Sequence, residues 1–426
     1  MRAVEVTGAR RAAARDAAGR CRFCDAELRH SFVDLGMSPL ANSYLSADEL
    51  DRPEKFYPLH AFVCEECYLV QLPEFESPEK IFRDYAYFSS FSTSFLEHAR
   101  RYVEQSVGRF GLTAHSRVLE VASNDGYLLQ YFRDRGIPVL GVEPARNVAQ
   151  AAEAAGIRTI SDFFGRRLAA ELVAAGEAAD LVIGNNVLAH VPDLNDFVAG
   201  LKLVLKPGGT ITLEFPHLLR LVAGGEFDTI YHEHFSYFSF TTVDRVFAAH
   251  DLRLVDVEEI PTHGGSLRIY ACHAEDEQKR FGPAVAQLLE RERREGLTDI
   301  GTYTAFEERT KTAKRDLLEF LIGRKRAGES VVGYGAAAKA TTLLNYCGIR
   351  NDFVDYVVDR SPHKQDRFLP GSHLPIYDPA EVHLTRPDYL LLFAWNLKDE
   401  IIEQMRSVRD FGCRFVVPIP QVEICE

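Results

Sequence analysis

Arg117-Val118-Leu119-Glu120-Val121-Ala122-Ser123-Asn124-Asp125-Gly126 is the stretch on which the fold turns. An apolar run long enough for one short strand ends in small, turn-forming residues, and residues 127–135 then read as a helix. The alternation recurs downstream. Gly141-Val142-Glu143-Pro144 ends a second strand, Thr159-Ile160 with Asp162 marks a third, and Ala179-Asp180-Leu181-Val182-Ile183-Gly184-Asn185-Asn186 makes a fourth. A helix over 194–205, a Lys206-Pro207-Gly208-Gly209 turn and a strand over 210–215 follow. Strand and helix in alternation predict a doubly wound α/β domain, which takes ligands outside the carboxyl ends of its strands.

The first turn carries a cofactor expectation. Small residues after strand one let the backbone approach a ligand closely. Glu143 ends strand two, where ribose hydroxyls are gripped, and Asp162 lies where an adenine amino group would be. Gly126 stands alone where the dinucleotide fingerprint has three glycines. An acid followed by a small-residue turn, and a Lys-Pro-Gly-Gly turn before strand five, resemble the class I S-adenosylmethionine-dependent methyltransferases. A cofactor without a pyrophosphate does not need all three glycines. The cofactor-binding candidates are Glu120, Ala122, Asn124, Gly126, Glu143, Asp162 and Asn185. NAD binding, or an α/β core with no cofactor, are the alternatives.

After strand five comes Tyr231-His232-Glu233-His234-Phe235-Ser236-Tyr237-Phe238-Ser239. No ordinary strand or helix face needs two histidines, a carboxylate and two tyrosines together. Histidine titrates nearest neutral pH and is the usual general base. The plainer alternative is a half-buried aromatic segment with hydrogen-bonded histidines. Loops above the strand ends are where catalysis occurs in such a sheet, and His190, after strand four, overhangs the same mouth.

Upstream lie two Cys-x-x-Cys knuckles, Cys21-Arg22-Phe23-Cys24 and Cys64-Glu65-Glu66-Cys67. Each offers two thiolates from one turn, and together they complete a closed tetrahedral site, which suits structural zinc rather than catalytic zinc. Too few apolar residues lie between the knuckles for an independent core, so a metal staple makes physical sense. Residues 78–110 read as helical, with Ile81, Phe82, Tyr85, Phe88, Phe91, Phe95 and Tyr102 at spacings of mostly three and four. Tyr85 and Tyr87 either join that core stripe or face a substrate.

Residues 275–327 are charged and helix-rich. The run Leu288-Leu289-Glu290-Arg291-Glu292-Arg293-Arg294-Glu295 reads most simply as a solvated helix linking two domains. Beyond it, Val331-Val332-Gly333-Tyr334-Gly335-Ala336-Ala337-Ala338-Lys339 fits Gly-x-Gly-x-x-Ala between a strand and a helix, and Asp359 ends the next strand. A helix N-terminus there presents N–H groups to phosphate, with Lys339 adding charge. The loop suits NAD or a nucleotide diphosphate. Arg360, His363, Lys364 and Arg367 make either a positive edge beside it or a set of solvated charges.

The chain has 426 residues, of which 46% are hydrophobic and 26% charged, as in an ordinary soluble globular protein of a few domains. Its net charge of −13 argues against nucleic acid or an anionic membrane surface as partner. The first twenty residues read as a mobile tail without a secretory signal, so a reducing cytoplasm with unpaired cysteines is expected.

These motifs, in this order from Cys21 to about Pro420, resemble the sugar C-methyltransferases of deoxysugar antibiotic biosynthesis. The resemblance implies three parts: a zinc module over 1–80, a methyltransferase domain over 81–274, and a helical linker with a second Rossmann-like domain over 275–426. It implies S-adenosylmethionine as cofactor, zinc as structural metal and a dTDP-linked 4-keto-deoxysugar as substrate. His234 is then the general base, with Tyr231, Glu233, His190 and Tyr85 around the reacting sugar. Gly335, Ala336, Lys339, Asp359, Arg360 and Lys364 help hold the nucleotide. An NAD-dependent nucleotide-sugar epimerase or reductase, or an O- or N-methyltransferase, is the alternative reading.

Overall fold

The computed structural model describes residues 19–82, 89–91 and 93–425. Three sheets organise them. The first is antiparallel and holds β1 (His30–Ser38), β2 (Tyr57–Val63) and β3 (Val70–Gln71), whose free edge pairs with Ser236–Tyr237 from far along the chain. Phe32 of β1 is fully buried and stacks on Phe306 with ring centroids 4.6 Å apart, so this small sheet shares its core with the helix Phe306–Arg326.

The second sheet carries β4 (Val118–Val121), β5 (Val139–Val142), β6 (Thr159–Ile160), β7 (Ala179–Asn185) and β8 (Leu205–Pro216). With Ser236–Tyr237 taken as β9, the chain returns to it as β10 (Leu252–Ile260) and β11 (Ser266–His273). The order is β10-β11-β8-β7-β4-β5-β6; β4 to β8 run parallel and β11 runs antiparallel to β8. β4 is buried on both faces, as a central parallel strand under helices must be. Strand order reverses between β4 and β7, which opens a crevice at their carboxyl ends. The Lys206-Pro207-Gly208-Gly209 segment does not separate two elements. It bulges from a continuous β8, where pairing steps from Ala179↔Leu205 to Leu181↔Thr210.

The third sheet repeats the plan with β12 (Val331–Tyr334), β13 (Val357–Val358), β14 (Ile376–Tyr377), β15 (Tyr389–Leu392), β16 (Arg414–Val417) and an antiparallel edge, β17 (Glu423–Cys425). Its order, β14-β13-β12-β15-β16-β17, reverses between β12 and β15.

Two helical expectations are corrected. The 78–110 stretch is not one helix: the described parts are Pro78–Phe82, a 3₁₀ turn at Ser89–Phe91 and Thr93–Phe110. The N–H groups of Ser89 and Ser90 donate to the side chains of Asn124 and Asp125 at 2.9 and 3.1 Å, so local polar bonds displace the helical ladder there. Tyr85, Tyr87 and Phe88 lie outside the described residues. Nor is the charged run 288–295 simply solvated. Glu292, on the helix Pro283–Arg294, is fully buried. Its Oε1 accepts from Phe240 N at 2.7 Å and His217 Nε2 at 2.6 Å, and its Oε2 accepts from the Thr241 N–H at 2.8 Å and hydroxyl at 2.6 Å. The first N–H groups of the helix Phe240–Ala249 thus draw the carboxylate inward. Among the described residues no helix is long and apolar enough to cross a membrane.

Candidate active site

His190 closes a 3₁₀ turn after β7, and His234 lies in the loop that leads into β9. The fold brings their rings to 4.7 Å between centroids, edge to face. Tyr231 lies 4.1 Å from the His234 ring, and Tyr237 closes the far side at 5.9 Å. The Tyr231 N–H donates to the Tyr237 hydroxyl at 3.3 Å. His234 Nδ1 stands 3.1 Å from the Thr229 carbonyl, which can only accept, so Nδ1 carries the proton and Nε2 is left as the basic atom. Burial, and then the facing His190, hold the His234 imidazolium well below its usual range. Burial pushes His190 down to about 4. Both rings keep some solvent contact, so they line a crevice rather than fill the core.

The two histidines of the motif part company. His232 is buried against the first sheet, with Nε2 on the Pro58 carbonyl at 3.2 Å and its ring against Tyr57. Glu233 is buried too. Asn42 Nδ2 donates to its Oε1 at 2.6 Å, and burial pushes its carboxyl up to about 7.

At the mouth of β4 the backbone is contorted. Ala122 and Asn124 have φ of 56° and 49°, left-handed values that cost a non-glycine residue about 1–2 kcal/mol each. Gly126 follows at φ 79°, and a Cβ there would meet Ile157 at 2.8 Å. Glu143 steadies the turn by accepting from the N–H groups of Asn124 at 3.0 Å and Ala145 at 2.9 Å. Glu120 lies fully buried beneath, with burial lifting its carboxyl well above the usual range. Among the described residues both its oxygens lack a partner, as do Ser123 Oγ, Asp125 Oδ1 and Asn185 Oδ1. The Asp162 N–H donates to the Ile160 carbonyl, which also accepts from the Glu143 N–H, and the Asp162 carboxylate is paired with Arg167 at 2.6 Å.

In the third sheet, Gly335 (φ 96°) leads from β12 toward the helix Ala338–Cys347. The Ala336 carbonyl accepts from Lys364 Nζ at 2.9 Å and from the Tyr44 hydroxyl at 2.7 Å. Lys364 also meets Asp359 at 3.4 Å, and Arg360 faces Glu400 at 3.7 Å, so the expected positive edge is partly neutralised by its own neighbours. Lys339 is tied to Asn396 Oδ1 at 2.6 Å and lies 4.3 Å from the Trp395 ring. Burial lowers its ammonium, and Asp228 and Glu226 oppose that. The four thiols of Cys21, Cys24, Cys64 and Cys67 lie within 4.8 Å of one another.

The chain resembles known proteins over nearly its whole length. Family models match in series: a zinc binding domain over residues 21–82, a methyltransferase domain over 95–257 and a C-methyltransferase C-terminal domain over 261–420. The C-methyltransferase NovU of Streptomyces niveus is 37% identical over 404 residues, covering 95% of this chain and 96% of its own. The chain belongs to the C-methyltransferase family. An uncharacterized methyltransferase of Mycobacterium leprae (strain Br4923) is 31% identical over 126 residues, 28% of this chain and 46% of its own. Magnesium protoporphyrin IX methyltransferase from Synechocystis PCC 6803, solved with bound SAH, superposes with a TM-score of 0.34 at 15% identity, over 41% of this chain and 82% of that one.

This C-methyltransferase is an S-adenosylmethionine-dependent enzyme, and its residues fit both groups the family implies. The unpartnered acceptors around β4 and β7 suit a ligand rich in N–H and O–H donors, as the ammonium and ribose of S-adenosylmethionine are. At the cysteines, Sγ–Sγ separations of 3.6 Å (Cys21–Cys67) and 3.5 Å (Cys24–Cys64) approach the roughly 3.8 Å edge of a zinc–thiolate tetrahedron with bonds near 2.3 Å. Gln71 donates to Cys21 Sγ at 3.2 Å, as a thiolate ligand invites.

Sequence reading passes over several residues of this C-methyltransferase cleft. His263, at φ 54° in the turn before β11, stands 6.2 Å from Phe95 and bears electrostatically on both His190 and His234. Asp228 and Glu226, pushed by burial to about 6 and about 8, face Lys339. Asn42 and Tyr44 arrive from the zinc module. Only the Gly264-Gly265 pair beside His263 carries a local signal, that of a turn.

Proposed function

We propose that this enzyme methylates C-3′ of a dTDP-linked 4-keto-deoxysugar during antibiotic deoxysugar assembly, with His234 as the base that makes the carbon nucleophilic. The observation that carries the reading is the state of His234. Its Nδ1–H is engaged by Thr229, and its low pKa keeps Nε2 unprotonated at neutral pH. A carbon beside a ketone gives up a proton because the charge spreads onto oxygen as an enolate. His234 takes the C-3′ proton. Tyr231, in ring contact with His234, hydrogen-bonds the enolate oxygen, a type of contact worth about 2.7–4 kcal/mol, and His190, whose single N–H as a neutral ring is turned to the Glu233 backbone, packs beside them in the site. Glu233 and, by family resemblance, Tyr85 complete the wall around the sugar. Bound S-adenosylmethionine supplies the electrophilic methyl of a sulfonium.

The cofactor is cradled by Glu120, Ala122, Asn124, Gly126, Glu143, Asp162 and Asn185. The nucleotide lies along Gly335, Ala336, Lys339, Asp359, Arg360 and Lys364, with residues 275–426 forming that lobe against the methyltransferase lobe, 81–274, and the zinc module, 1–80. The sugar assignment draws on the family resemblance; the unprotonated Nε2 of His234 supports carbon rather than oxygen or nitrogen as the target, since neither of those needs an enolate-forming base.

The test is a small panel of dTDP-4-keto sugars incubated with S-adenosylmethionine in D₂O. NMR of the product is expected to show a new methyl on C-3′. His234→Asn is expected to lose both turnover and C-3′ deuterium exchange while keeping S-adenosylhomocysteine affinity. A methyl on oxygen, or near-normal turnover by His234→Asn, refutes the reading.

A further inference from the structure

The first cysteine knuckle reaches past its metal site. Arg22, between Cys21 and Cys24, sends its guanidinium into the gap between the two histidine-bearing loops. Nη1 donates to the Pro192 carbonyl at 2.9 Å, two residues beyond His190. Nη2 donates to the Leu72 carbonyl at 2.5 Å, and Leu72 in turn donates its N–H to Phe235, the neighbour of His234, at 3.0 Å. The guanidinium also lies 5.5 Å from the Phe235 ring. From the opposite side, the Asn195 amide donates to the Arg22 and Phe23 carbonyls at 3.2 and 3.0 Å. Gln71 accepts the Arg22 N–H at 2.9 Å and pairs across the sheet with Ser236. Among the described residues no carboxylate is hydrogen-bonded to the guanidinium; Glu74 and Asp193 bear on it only electrostatically.

A desolvated cation held by carbonyls alone is a poor way to stabilise a fold, because its lost hydration is only partly replaced. What it offers is geometry. A planar fork holds two carbonyls on separate loops at a fixed spacing and direction, which an apolar side chain cannot do and a compact, freely rotating ammonium does not impose.

We infer that Arg22 is the positioning residue that sets the separation of His190 and His234, acting through Pro192 on one loop and the Leu72–Phe235 pair on the other. This rests on His234 as the base.

Arg22→Met, Arg22→Lys and His234→Asn are compared, with zinc content and S-adenosylhomocysteine affinity as checks that each is folded. For Arg22→Met, zinc stoichiometry and cofactor affinity are expected to hold. kcat should fall about 10²-fold, the loss expected from an ångström-scale misplacement, with KM for the sugar little changed. The acid limb of the kcat–pH profile should move to higher pH, because separated imidazoles no longer disfavour each other's charge. Arg22→Lys, which keeps the charge and loses the fork, should fall between the two and show the same displaced limb; it carries the test if Arg22→Met does not fold. A wild-type kcat and pH profile in either folded variant overturns the inference, as does a loss of activity that only tracks a loss of zinc. A dead His234→Asn beside a normal Arg22 series sinks this inference alone. A normal His234→Asn sinks the base assignment, and this inference with it.

Discussion

Around Glu292, donors from His217, Phe240 and Thr241 converge on one buried carboxylate, while around Glu233, equally hidden, a single amide from Asn42 reaches in. Burial alone would raise both acids. At Glu292 the His217 contact and the Thr241 bonds outweigh it and hold the carboxyl below its ordinary value. At Glu233 nothing of that strength opposes it, and the carboxyl rises to about 7. The difference separates a knot that joins elements from a buried acid left with one partner, which the proposed function places beside the sugar. At Glu292 both carboxylate oxygens are answered internally, although Nδ1 of its partner His217 has no partner among the described residues. At the mouth of the second sheet, Glu120, Asp125 and Asn185 keep oxygens without a partner among the described residues, and the proton on His234 Nδ1 leaves Nε2 as its basic atom.

That contrast can be broken first at its functional end. His234→Asn is expected to lower kcat by about 10³-fold, within the usual range for a general base, with the melting temperature unmoved. A comparable loss of stability would put His234 in the structural class. Glu292→Ala is the mirror experiment. It should destabilise the protein by about 3 kcal/mol in urea titrations, since it strands His217 and two helix N–H groups, while kcat per folded molecule stays the same. A large fall in kcat without unfolding would erase the distinction.

Proton linkage sharpens it further. Glu292 is depressed in the fold, so its contribution is present above the ordinary glutamate pKa and is lost as pH falls through the folded value. Glu233 is raised, so the folded state binds the extra proton and stability declines as pH climbs from about 4.5 past about 7. Glu233→Gln should flatten that decline by on the order of 2 kcal/mol, read from urea midpoints across the pH range. The smallest effect belongs to the solvated side of the same helix as Glu292. Breaking the exposed Arg293–Glu290 pair (2.7 Å) with Arg293→Gln should change stability by no more than about 0.5 kcal/mol.

Much of the architecture was legible because its signals are local. Alternating apolar strands and helices announced both parallel sheets, and the spacing of Cys21, Cys24, Cys64 and Cys67 announced the thiolate cluster. The site was legible only down to its segment. Tyr231 to Ser239 drew attention by composition, yet nothing in it tells His232, which turns to Pro58, from His234, which turns to His190. The burial of Glu292 could not be read from a charged run, because its partners lie on two distant elements. Asn42, Tyr44 and Arg22 were invisible for the same reason: hydrogen bonds between residues far apart in sequence leave no periodicity.

β9 belongs to the first sheet by its hydrogen bonds and to the His234-bearing loop by its place in the chain. The cysteine-bearing region is therefore not an exchangeable cassette. A chimaera that took residues 1–80 from a relative would also have to import 231–242, or the graft would present one protein's sheet edge to another protein's loop.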